Sequence, residues 1–242
     1  MSMKLRHGAV LALLALSVVI LLHAQSAFAG VIIWEEHPCP HNHVYLIEII
    51  QGHKEWLAWG EQPQHISHAM GAIVYDLDQR VRTNIDYRRK VYYVETPYPP
   101  EVGDTVNPRC VGNFKPTGKF RKIAGYSCEE YIGTGDSAHW GHQTDVHCVS
   151  KDAPGLREYT EFMNLLNRLY EAAGFVDGSY GENFPGFGYP LGIDGIILAS
   201  GRDGSSVFVV TKIESRRVPE SQFEVPAGFL RKKVGSSPAP IP

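Results

Sequence analysis

The stretch "EEHPCPHNHVY" places His37, Cys39, His41 and His43 on alternate residues. Imidazole and thiolate are the donors that zinc and copper take, and alternate positions of an extended chain share one side. The spacing nominates a transition-metal site (Zn or Cu), thiol-free on His37, His41 and His43 if Cys39 is oxidised. Two further histidine groups accompany it: His139, His142 and His147 in "HWGHQTDVHC", and His65 with His68 in "HISH". Against the metal reading, Pro38 and Pro40 oppose regular strand pairing and no Cys-x-x-Cys spacing occurs. Surface or loop histidines are the competing explanation.

Recognised catalytic motifs are missing. The sequence has no Gly-x-Ser-x-Gly elbow, no His-Glu-x-x-His, no Walker loop and no Gly-x-Gly-x-x-Gly ahead of a helix. Glu35–Glu36 and Glu129–Glu130 are adjacent carboxylates; in strands such neighbours point to opposite faces, and both pairs read as solvated charges. No catalytic residue is assigned and a non-enzymatic protein is expected. Aromatic side chains offer a third chemistry, an apolar-ligand site. Trp56, Trp59, Tyr93, Phe184, Phe187 and Tyr189 are its candidate lining, and the glycine-rich loop from Gly178 to Gly192 its candidate gate.

These residues sit in a chain whose first 29 residues read as a secretory signal. Lys4 and Arg6 precede an apolar run from Ala9 to Leu22, and Ala27-Phe28-Ala29 supplies small residues for cleavage near Ala29. The run is shorter than the ~20 residues a spanning helix needs. A periplasmic or secreted protein is therefore expected. Removing the signal takes away two basic and no acidic residues, so the formal charge moves from -3 to -5. That balance, with no basic stripe evident, argues against a nucleic-acid partner. Export also favours disulfides for Cys39, Cys110, Cys128 and Cys148. "KIAGYSCEEYI" and "TDVHCVS" read as a hairpin folded about Ala138, which sets Cys128 opposite Cys148 on a face shared with Tyr126, Ile132 and Val146. Cys39 with Cys110 follows by default.

The elements that must hold these groups are mostly strands. "VIIWE", "HVYLIEIIQG", "EWLAWG", "AIVYDLD", "VRTNID" and "KVYYVE" are rich in β-branched and aromatic residues and bounded by turn formers, as in an antiparallel meander. In "EWLAWG", alternation puts Trp56 on one face and Leu57 with Trp59 on the other, so both faces are expected to be covered. The proline-rich "TPYPPEVGDTVNPRC" reads as a loop. A helix is expected from about Pro154 to Ala173, where Leu156, Tyr159, Phe162, Met163, Leu166, Leu169 and Tyr170 recur at three- and four-residue steps. "IDGIILAS" and "SSVFVVTKIES" flank the Asp-Gly turn of a terminal hairpin. Residues 235–242 read as a disordered tail. The expected architecture is α+β and mainly antiparallel: one domain over residues 30–234, built as a curved sheet or half-open barrel covered by one main helix.

Three stretches carry a family resemblance: "IVYDLDQRVRTNID", "KFRKIAGYSCEEY" and "VPESQFEVPAGF". They resemble a family of secreted bacterial proteins classified as domain of unknown function 4412. In it a Gly-Tyr-x-Cys-x-x-Tyr strand, here Gly125, Tyr126, Cys128 and Tyr131, precedes an ending matched by Phe223, Val225, Pro226, Gly228 and Phe229. That family is similar in outline to the periplasmic lipoprotein carriers of the LolA and LolB type, whose half-open antiparallel barrel holds acyl chains under helices. The resemblance implies a carrier for a lipid, a lipidated protein or another apolar ligand. The histidine-rich opening and the long proline-rich loop depart from the pattern. A metal-binding protein and an envelope protein docking through its aromatic loop are the other two readings.

Overall fold

The computed structural model describes residues 29–38, 43–61, 69–98, 110–137, 141–173, 195–202 and 204–233. The expected signal, the loop from Gly178 to Gly192 and the expected tail lie outside them. Six strands come first: β1 (Gly30–Pro38), β2 (His43–Gln51), β3 (Lys54–Gly60), β4 (Gly71–Asp76), β5 (Val81–Asp86) and β6 (Val91–Glu95). Then follow β7 (Cys110–Ile123), β8 (Tyr126–Ser137), β9 (Gly141–Ser150), the helix α1 (Leu156–Ala172), β10 (Ile196–Arg202), β11 (Ser205–Arg216) and β12 (Leu230–Lys232). All twelve strands form one open sheet in the order β12-β6-β5-β4-β3-β2-β1-β11-β10-β9-β8-β7. Neighbours are antiparallel except β12, which runs parallel to β6.

Local chemistry sets the meander. Two of its hairpins repeat one turn: Asp76 and Asp86 end their strands and accept the backbone N–H of Gln79 and Arg89, both at 2.9 Å. Arg80 and Lys90 then take positive φ before the next strand begins. Short aspartate side chains bond the backbone a few residues on, which is why they open such turns. The later hairpins meander back from the opposite edge until β11 closes on β1.

The sheet is curved. If it were flat, β6 and β7 would stand ~48 Å apart at the usual strand spacing, about the full reach of the connecting residues 96–109. In addition, β11 touches β7 although three strands separate them in the sheet.

Both faces of the meander are buried. One packs on α1 in a cluster that includes Val31, Ile33, Ile50, Ile73, Phe162, Met163 and Leu198. On the other, Ile32, Ile47, Ile49, Trp56, Ala72 and Val74 form a second cluster, closed by Val218 and Phe223 from the segment after β11. That segment is pinned by Gln51, which donates to the Val218 carbonyl at 3.1 Å and accepts the Val218 N–H at 2.8 Å, and by Lys54 on Glu220 at 3.0 Å. The family ending Phe223-x-Val225-Pro226-x-Gly228-Phe229 is thus a strap over the second face. Gly228, at φ 83°, makes its final turn, and Phe229 meets Tyr87 edge-on.

Three sequence expectations need correction. "KIAGYSCEEYI" is not one strand: Ala124 and Gly125 take φ of 50° and 89° and turn β7 into β8. A strand also runs through "CVGNFKPTGKF", to which the sequence reading assigned no element. β7 is an edge strand, where proline is tolerated, and its pairing with β8 is irregular on either side of Pro116. The disulfide Cys128–Cys148 is present, with Cα atoms 5.3 Å apart. Its register is shifted, since Cys148 stands opposite Glu130 and Ile132 opposite Val146, so the two cysteines are diagonal neighbours rather than directly opposed. Cys39 and the side chain of Cys110 lie outside the described residues.

Candidate functional site

The face of the sheet on which α1 packs carries an unusual row of polar residues. Cross-strand pairing aligns Glu55 of β3, Tyr75 of β4, Arg82 of β5 and Glu95 of β6, so all four side chains leave the sheet on the same side. Glu48 of β2 pairs with Leu57, one pleat along from Glu55, and reaches Glu55 diagonally. Glu48 and Glu55 are 6% and 1% exposed, and their carboxyls share a hydrogen bond. Burial is the main cause that raises both above the ordinary carboxylate range, and the nearby Glu35 carboxylate adds to it. The pair therefore holds protons near neutrality, with Glu48 donating to Glu55. The Glu55 Oε1 is buried without a hydrogen-bond partner.

On one side of the pair, His37 of β1 donates Nε2–H to Glu35 at 2.9 Å and stacks on Phe208, ring centres 5.5 Å apart. On the other, Glu95 accepts from Arg82 at 3.3 Å and from the Asn84 side chain at 3.1 Å. The Arg82 guanidinium lies 5.9 Å from the Tyr75 ring centre and 5.7 Å from that of Tyr98. The Tyr98 hydroxyl bonds that of Tyr170 on α1, tying the helix to the loop after β6. Burial pushes the Tyr75 and Tyr98 hydroxyls far up, so both stay neutral donors. Trp59 of β3 and Leu165, Leu166 and Leu169 of α1 are half-buried against the apolar cluster of the same face. Trp59 lies over Gly71, where a Cβ would sit 2.3 Å from the indole.

A second buried polar spot lies on β9 and β10. Asp145 accepts from Arg202 at 2.7 Å, while His147 packs 4.8 Å from the Phe114 ring with its Nδ1 unpartnered. Burial lowers the His147 imidazole to about 4, so it is neutral.

The structure separates the residues nominated for metal. His37 pairs with Val44 and His43 with Pro38, so the two imidazoles leave opposite faces of the β1–β2 hairpin. His43 is exposed and bonds Glu36 at 2.7 Å, on the face away from His37. The pleat is the reason: the antiparallel turn places residues six apart on opposite faces here, and alternation within one strand does not carry across it. His41, His65, His68 and His139 and the side chain of His142 lie outside the described residues. Among those described, no group of three or more histidines, cysteines or carboxylates is arranged for a metal ion.

The aromatic set divides likewise. Trp56 is 1% exposed inside the second cluster, beneath the strap. Trp59 and Tyr93 lie on the α1 face, as the alternation in "EWLAWG" implies. Phe184, Phe187 and Tyr189 lie outside the described residues. Glu35 and Glu36 do point to opposite faces, but Glu35 is a half-buried partner of His37 rather than a solvated charge. Sequence reading passed over Glu48 and Glu55, although a signal existed: each is a lone carboxylate at an inward position of an otherwise apolar strand.

Comparison with known proteins adds the following. Curated protein sequences yield no match. Two solved structures of PNGF-II are similar at 15% and 14% identity, with TM-scores of 0.42 and 0.41. Each alignment covers 86% of this chain and 32% of that chain, so this chain spans about a third of the length of the structures it matches. A family profile matches residues 107–229, from three residues before β7 through the strap, and it contains both the Gly-Tyr-x-Cys-x-x-Tyr strand and the Phe-x-Val-Pro ending. The chain belongs to the family described as domain of unknown function DUF4412.

Proposed function

We propose that this chain is a non-enzymatic, exported binding or carrier protein that holds a lipid or other apolar group between the curved sheet and α1. In this reading the sheet is a half-open barrel of the LolA and LolB kind, with α1 over its mouth. The observation that carries it is the asymmetry of the two faces. The strap seals the second cluster. The α1 face instead keeps half-buried apolar side chains, Trp59, Leu165, Leu166 and Leu169, and also carries the buried polar row. An apolar lining with a few placed polar groups is the usual composition of a small-molecule site. Tyr93 and Trp59 keep their place among the lining residues, whereas Trp56 serves the core. The signal-like opening supports a periplasmic or secreted location, where lipidated proteins belong to the same class of apolar cargo.

Native mass spectrometry of the untagged protein, produced with its own leader, tests the reading. The expected spectrum shows cleavage near Ala29 and an acyl-sized adduct, or uptake of added palmitate by the empty protein. A protein that carries no such adduct and takes up no palmitate overturns the carrier reading. A metal-sized adduct removed by chelator would favour the histidines instead.

A further inference from the structure

Outside the α1 face, the edge strand β7 stands apart in its chemistry. Lys115, Lys119, Arg121 and Lys122 are all exposed, and no acidic residue occurs from Cys110 to Ile123, in a chain of formal charge -3. Among the described residues Lys119 reaches Glu130 at 3.6 Å, while no ion pair engages Lys115, Arg121 or Lys122. The acids of the partner strand are half-buried and already engaged: Glu130 also bonds Thr117, and Glu129 accepts the Tyr131 hydroxyl at 3.2 Å. In the middle of the basic run Phe120 is 66% exposed. Irregular pairing between Pro116 and Phe120 bends the strand at this point.

Lysine and proline on an edge strand have a protective use, since they stop it pairing with another chain. That accounts for Pro116 and the charges but leaves the exposed ring unexplained, because an aromatic on a bare edge invites association. Cations flanking a single exposed aromatic match a different surface. Lysine and arginine are attracted to anionic headgroups, and an aromatic ring settles at the headgroup level. We propose that the β7 edge docks edge-on against an anionic lipid bilayer: Phe120 and Lys122 leave one face of the strand and Lys115 and Arg121 the other, so the edge between them sets these cations and Lys119 on the phosphates and Phe120 in the interface. The inference stands independently of the carrier reading, because it uses none of the residues beneath α1.

The test is flotation of the full exported protein with vesicles of phosphatidylcholine, with and without phosphatidylglycerol, at low and high salt. Binding is expected only with phosphatidylglycerol and should weaken with salt, as screening requires. Each basic residue removed should cost about fivefold in affinity, so Lys115→Gln, Lys119→Gln, Arg121→Gln and Lys122→Gln combined should lose ~100-fold or more. Phe120→Ser, a single exposed change that keeps the test open if the fourfold variant folds poorly, should weaken binding at either salt concentration. Equal binding to both vesicle types, no binding to either, or Phe120→Ser binding like the parent would each overturn the proposal. The second outcome would point to edge protection or to an acidic protein partner.

Discussion

Glu48, Glu55 and His147 are ionisable groups held against their ordinary protonation, and they oppose one another in how stability depends on pH. Burial pushes Glu55 up to about 8 and raises Glu48 as well, so between the ordinary carboxylate range and pH 8 the folded state binds more protons than the unfolded. Stability contributed by the pair is therefore present in mild acid and lost as pH rises through 8. His147 works in the other direction. Its folded value near 4 lies below the ordinary 6.5, so the contribution is present above 6.5 and lost as pH falls toward 4, by ~3 kcal/mol at the limit. Thermal melts across pH should trace a dome. Glu55→Gln is expected to flatten the alkaline limb and His147→Gln the acid limb. An alkaline limb identical in Glu55→Gln and parent would show that the carboxyl pair is not proton-linked to folding.

At the scale of elements, the strap after β11 explains why the family ending consists of Phe, Val, Pro and Gly rather than of reactive residues. Phe223 is 8% exposed in the second cluster beside Val218 and beneath it lies Trp56. Phe223→Ala should cost ~3–5 kcal/mol, the range for emptying an aromatic site in a core, and chemical denaturation would measure it. A loss under 1 kcal/mol would mean that the strap only rests on the sheet. How far elements were legible follows from local signals. The six-strand meander, the helix and the Asp-Gly hairpin were readable because their turns and periods are local. Edge strand β7 was not, because proline and glycine break the strand pattern wherever they occur and only the sheet order shows that an edge tolerates them. The disulfide partners were readable from hairpin geometry, but the register was two residues off, since a loop length does not by itself fix where pairing starts.

For the molecule as a whole, two properties arise only when distant strands meet. The carboxyl pair needs β2 and β3 in one register, and the row through Tyr75, Arg82 and Glu95 needs β4, β5 and β6 aligned with them. The metal expectation on His37, His41 and His43 met the opposite outcome for its described members, because the β1–β2 pairing sends His37 and His43 to different faces. Alternation within a strand says which side chains share a face; it does not say how a turn carries that face into the next strand. The two faces are unequal, one closed by the strap and the other packed on α1. No helix among the described residues is long and apolar enough to cross a membrane. The central claim, that the α1 face takes an apolar ligand, can be tested directly by photolabelling with a diazirine fatty acid followed by peptide mapping. The account predicts crosslinks on Trp59 and on α1 around Leu165, Leu166 and Leu169, suppressed by excess unlabelled fatty acid. Labelling confined to the strap from Val218 to Phe229, or labelling that excess fatty acid does not suppress, would contradict it.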